Sequence, residues 1–99
     1  MLHIVNKSHT QTSALASCLR LAQPGASLLL TEDAIYAATA AAAASSGIAG
    51  AAARLKVFAL QPDVEARGMA GKLADGIATV DYGGFVDLVA EHSCNQSWL

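Results

Sequence analysis

The sequence predicts one small α/β domain, built on a mainly parallel sheet of about four strands with helices on both faces. Three observations carry this. Leu28, Leu29 and Leu30 run without polar interruption, as in a strand buried on both sides, and Thr31-Glu32-Asp33 then offers helix-start chemistry. Short apolar runs recur along the chain with helical patterns between them, and parallel neighbours need such crossovers. At 99 residues, 1–99 is expected to be one domain, able to bury roughly two-thirds of its unfolded surface.

Residues 2–6 (Leu-His-Ile-Val-Asn) read as the first strand, followed by turn chemistry at Asn6-Lys7-Ser8. Thr10, Thr12 or Ser13 can cap a helix whose apolar positions Leu15, Cys18, Leu19 and Ala22 fall at helical spacing, ending at Pro24-Gly25. Residues 26–31 form the second strand. Glu32 and Asp33 are expected to cap the next helix, in preference to binding a cation or acting as an acid–base pair. The alanine-rich stretch from Ala34 to Ser45-Ser46-Gly47 predicts a packed helix, because alanine loses no side-chain entropy there. Ala51-Ala52-Ala53-Arg54 adds a further helical turn.

Residues 55–60 (Leu-Lys-Val-Phe-Ala-Leu) read as the third strand. The stretch 62–68 reads as a short helix with Pro62 in its first turn and Gly68 as its stop. Residues 69–76 form a loop with room for one more turn, and residues 77–81 the fourth strand. Asp63 and Asp81 are expected as helix-start residues. Phe85, Val86, Leu88, Val89 and His92 mark an amphipathic last helix. The tail 93–99 ends in Trp98-Leu99, two large apolar residues that either fold back along the sheet edge or dock on a partner.

The chain is 54% hydrophobic but only 14% charged, against a usual ~25%, so another chain is expected to cover an apolar face. With a net charge of −2 and six scattered Lys and Arg, it has no basic stripe, which argues against direct nucleic-acid binding. No apolar run reaches the ~20 residues that span a bilayer, and the first residues lack signal-peptide character; a cytosolic, non-membrane protein is expected. There is no glycine-rich phosphate loop and no nucleophile elbow. No cofactor is expected.

Cys18 and Cys94 fit no zinc spacing, and His92 with Cys94 lacks further ligands, so no metal site is expected. In a reducing compartment both thiols are expected to be free. Cys18 is the candidate catalytic residue, since a thiolate can carry a second sulfur as a persulfide. Its place two turns into a helix beside Leu15 and Leu19 favours a buried, unreactive thiol. Cys94 reads as an incidental exposed one.

Five stretches in order resemble the DsrH/TusB family. They are residues 2–8, Glu32-Asp33-Ala34-Ile35-Tyr36-Ala37-Ala38, residues 56–60 with 63–68, Val80-Asp81-Tyr82-Gly83-Gly84-Phe85-Val86-Asp87-Leu88, and Trp98-Leu99. Ser8-His9 departs from a frequent Ser-Pro, and Ala34 from a common Gly. The resemblance implies a DsrE-like fold and assembly with DsrE/TusD-like and DsrF/TusC-like subunits into a heterohexamer. It implies sulfur transfer to a DsrC/TusE-like acceptor, in wobble-uridine 2-thiolation of tRNA or in sulfur oxidation, with the principal sulfur-accepting cysteine on the DsrE/TusD-like partner. Cys18 falls where DsrH-type members carry a first-helix cysteine. Two readings stay open: a relay subunit with Cys18 as secondary persulfide carrier, and a purely structural, docking subunit. A stand-alone small-molecule binding module is a third.

Overall fold

The computed structural model describes residues 1–98 and contains five parallel strands, one more than the sequence predicts. In chain order the elements are β1 (Leu2–Val5), α1 (Ala14–Leu21), β2 (Ser27–Leu30), a 3-10 helix (Glu32–Ala38), α2 (Ala43–Ser46), α3 (Ile48–Ala51), β3 (Lys56–Leu60), α4 (Gln61–Ala66), β4 (Ile77–Val80), α5 (Tyr82–Glu91) and β5 (Asn95–Trp98). The strands lie in the order β4-β3-β2-β1-β5. β2 is central, and all four of its residues are buried, as the unbroken leucine run requires.

Alternation along the strands sorts the core into two layers. Val5, Leu28, Leu30, Val57 and Ala59 face α1, the 3-10 helix, α2 and α3, joined by Leu15, Cys18, Ile35 and Ile48. On the other face Leu2, Leu29 and Leu60 meet Leu88 of α5, with Ile4, Phe58, Val80 and Phe85 around them. Each fully buried leucine or isoleucine contributes about 1.5–3 kcal/mol relative to exposure. Among the described residues, α5 is the helix that covers this second face of the sheet.

The fifth strand comes from the tail. Leu2 pairs with Asn95 and Val5 with Trp98, both in parallel register. Asn95, Gln96 and Ser97 are exposed, so no hydrophobic alternation marks this strand in the sequence; its partner β1 defines it. Trp98 folds back against the α1-side core. Leu99 lies outside the described residues.

The predicted alanine-rich helix is broken into two pieces. Its first part, Glu32–Ala38, is 3-10, and Thr39 leaves the helix in extended conformation. The Ala40 N–H donates to the Lys72 carbonyl at 2.8 Å and the Ala74 N–H to the Ala38 carbonyl at 2.8 Å, around an antiparallel bridge between Thr39 and Leu73. Backbone pairing with the 72–74 segment thus replaces helical hydrogen bonds, and tertiary context overrides alanine's propensity. Gly47, at φ +90°, ends α2 and starts α3, with Leu19 Cδ1 only 3.1 Å from where a Cβ would stand. The expected turn at 51–54 is the end of α3 and the turn after it.

Candidate functional site

Cys18 sits on α1 with no exposure, between Leu15 and Leu19 on the helix face turned to the core. Burial pushes its thiol up to about 11, against an opposing pull from the Arg54 guanidinium. Arg54 reaches that region because it clamps the end of α1: its Nη1 donates to the Ala22 carbonyl at 2.9 Å and its Nη2 to the Leu19 carbonyl. It satisfies carbonyls that the helix end leaves free and places positive charge at the negative end of the dipole. Nothing in the sequence marked Arg54 for this role, since residues 19 and 54 are linked only by the fold.

Glu32 and Asp33 stand after β2, where strand carboxyl ends meet helix starts, but neither they nor Thr31 cap the 3-10 helix by side chain. That expectation is corrected. Glu32 has φ +50° and its N–H donates to Asp63 Oδ2 at 2.7 Å. Asp33 Oδ1 accepts from Arg67 Nε at 3.2 Å and Nη2 at 3.0 Å, and the same guanidinium lies 3.9 Å from Asp63. The carboxylates of Asp33 and Asp63 are occupied in joining the 3-10 helix to α4. Thr31, Glu32 and Asp63 line a small hollow of about 380 Å³ with Asn6, Tyr82 and Phe85.

Asp81 does cap its helix, accepting from the Gly84 N–H at 2.7 Å. Gly84 is required here: a Cβ would lie 2.9 Å from Val80 Cβ. The close start turns α5 so that Leu88 faces the sheet while Tyr82, Val86 and Val89 face outward. These three are 61%, 66% and 38% exposed, and with Phe85 and Ala90 they border a shallow apolar hollow of about 470 Å³. Positions 82, 86 and 89 make one stripe along the outside of the helix.

Cys94 is exposed, and the structure does not bring it near Cys18: both are free. His92 Nδ1 is 2.7 Å from the Leu88 carbonyl. Among the described residues no group of three or more His, Cys, Asp and Glu could hold a metal ion, and no helix is long and apolar enough to cross a membrane. One pairing the sequence reading missed is His3 with Trp98, whose indole N–H donates to His3 Nδ1 at 3.1 Å. The signal for it was the apolar end of the tail.

The fold and these sites define a class: small α/β domains with an all-parallel five-stranded sheet, a sealed thiol on the first helix and an apolar outer helix face. A solved structure of the same fold is a protein of unknown function, MTH1491, from Methanobacterium thermoautotrophicum, with TM-score 0.74 and 16% identity over 97% of this chain and 95% of that one. The chain belongs to the DsrH family: the model described as "DsrH like protein" matches residues 7–95. Protein TusB of Serratia proteamaculans (strain 568) is 36% identical over 105 aligned residues, covering 99% of this chain and 100% of that protein. Protein TusB of Escherichia coli O81 (strain ED1a) is also 36% identical, over 98 residues, with the same coverage. Membership of this family supports a role in a sulfur-relay complex.

Proposed function

We propose that this chain is the docking subunit of a cytoplasmic heterohexameric sulfur-relay complex, formed with DsrE/TusD-like and DsrF/TusC-like subunits and serving a DsrC/TusE-like acceptor. The observation that carries the reading is the outward stripe of Tyr82, Val86 and Val89 on α5. A chain with so few charges would not leave three large apolar side chains in line on one helix unless a partner covers them. Burial of Cys18 favours this structural role, because sulfur transfer needs a thiolate that a donor can reach.

A second reading keeps Cys18 as a persulfide carrier, on the strength of its position in the family pattern. The Cys18 thiolate would attack the terminal sulfur of a donor persulfide, forming a new S–S bond and releasing the donor sulfur as a thiolate. The sulfane sulfur moves with no net oxidation, and α1 would have to open first.

The experiment is peptide mass mapping of this chain within its reconstituted complex after exposure to a persulfide-loaded donor. Sulfur on a partner's cysteine alone supports the docking reading, and one added sulfur on Cys18 supports the carrier reading. Failure to co-assemble with DsrE- and DsrF-type or TusD- and TusC-type subunits overturns both.

A further inference from the structure

We propose that the cleft between the loop after β1, the 3-10 helix and the turn at 69–72 binds a small carboxylate carried on an apolar body. It measures about 610 Å³, the largest of the hollows described here, and falls within the roughly 300–1,000 Å³ of small-molecule sites. Its floor is apolar, made by residues 40–42 and Met69. The backbone pairing that breaks the alanine run is what opens it: Ala40 is tied to Lys72, so the small side chains face a gap instead of continuing a helix.

Some polar groups around this floor are engaged and others are not. The hydroxyls of Ser8 and Thr10 are bonded to each other at 2.7 Å, and Thr39 donates to the Tyr36 carbonyl at 2.9 Å, so these are engaged. Lys72, the Tyr36 hydroxyl and the His9 ring line the cleft with no side-chain hydrogen bond or ion pair among the described residues. His9 Nδ1 is buried without a partner. The Lys72 ammonium and the Tyr36 phenol each offer a donor.

Charge selects the ligand. Lys72 is the only charged residue lining the cleft and no carboxylate does so, which disfavours a metal cation. One ammonium beside an alanine and methionine floor matches a single negative charge on an aliphatic or aromatic body better than a multiply charged phosphate.

The test uses the full chain with octanoate and, as neutral control, octanamide, following methyl resonances of residues 40–42 and Met69 by NMR. Saturable octanoate shifts confined to the cleft are expected, with octanamide about tenfold weaker, the usual size of one charge-assisted hydrogen bond. Lys72→Met should abolish most of that difference, bringing octanoate binding down to about the octanamide level. Ala41→Trp, at an exposed lining position, should block both ligands without unfolding the chain. Equal binding of the two ligands, shifts centred on Val86 and Val89, or no saturation would each overturn the proposal. So would loss of octanoate binding on assembly with partner subunits, since the cleft would then be an interface.

Discussion

The indole N–H of Trp98 donates to Nδ1 of His3 across 3.1 Å, joining side chains 95 residues apart and latching edge strand β5 to β1. The rings lie 6.1 Å apart and tilted by 39°. This bond needs an unprotonated Nδ1. His3 is 5% exposed, and its pKa is lowered from 6.5, first by burial and then by the positive N-terminus.

The sign of the resulting pH dependence follows directly. The unfolded chain takes up the His3 proton at higher pH than the folded chain, so His3 stabilises the fold above pH 6.5, and that contribution is lost as pH falls from 6.5 through the lowered folded value. The slope from one such group cannot exceed about 1.4 kcal/mol per pH unit. Urea unfolding between pH 7.5 and 5, with about 0.5-unit steps, should show stability falling with acidity, and Trp98 fluorescence should report release of β5. In His3→Phe the part of the slope due to His3 should vanish; an unchanged slope would place its origin elsewhere.

Glu32 holds a left-handed backbone, φ +50°, at an exposed position, a conformation that costs a non-glycine residue about 1 kcal/mol. Its side chain makes no hydrogen bond or ion pair among the described residues, whereas its N–H is held by Asp63. Glu32→Gly should therefore stabilise the chain by about 0.5 kcal/mol, the strain relief exceeding the entropy that glycine adds to the unfolded state. Thermal denaturation of the variant should give a slightly higher midpoint, and a lower one would mean that the carboxylate contributes something unseen here.

What was legible in the sequence was the part written in uninterrupted apolar runs. Four strands and the first and last helices follow from such runs and their spacing, and Leu15 and Leu19 already implied that Cys18 is turned inward. β5 was not legible because Asn95, Gln96 and Ser97 carry no pattern of their own; only the register with Leu2 to Val5 makes them a strand. The alanine stretch misled for the opposite reason. Its local preference for helix is strong, but Thr39 and Ala40 pair with residues more than thirty positions away. Asp33 and Asp63 were read as local helix-start residues, while their strongest bonds run between the 3-10 helix and α4.

The two thiols should separate cleanly by reactivity. Cys94 is exposed and Cys18 has no exposure and a pKa of about 11. At pH 8, a pKa of 11 leaves about one thiol in a thousand ionised, before access is considered. Brief iodoacetamide treatment of the folded chain should label Cys94 alone, with Cys18 appearing only in denaturant. For functional comparison Cys18→Ala is the better substitution. It removes little more than one buried group, about 1 kcal/mol, whereas Cys18→Ser buries a hydroxyl that must find a partner in an apolar cluster.

Gly84 fixes the approach of α5 to β4. A Cβ at this position would stand 2.9 Å from Val80 Cβ and 3.3 Å from its Cγ1. Gly84→Ala should cost about 1–3 kcal/mol, the usual range for overpacking, despite alanine's better helix propensity. Gly83→Ala, whose nearest contact is the Asp81 carboxylate at 3.3 Å, should cost less. Urea unfolding of both variants gives the comparison, and equal effects would show that the helix start can shift.

The outward stripe of α5 predicts a substitution that spares the subunit and spoils the assembly. Val86 is 66% exposed, so exchanging it for aspartate removes little packing within the chain and should change its stability by less than about 0.5 kcal/mol. In an interface, the same aspartate would be an unpaired charge taken out of water, a cost of several kcal/mol and hence at least a hundredfold in affinity. Val86→Asp should therefore melt like the parent chain yet fail to co-purify with DsrE- and DsrF-type or TusD- and TusC-type partners. Gln96→Asp, on exposed β5, serves as the control for adding one charge. If Val86→Asp assembles normally while Gln96→Asp does not, the partner covers the β5 edge, and the apolar face of α5 points elsewhere.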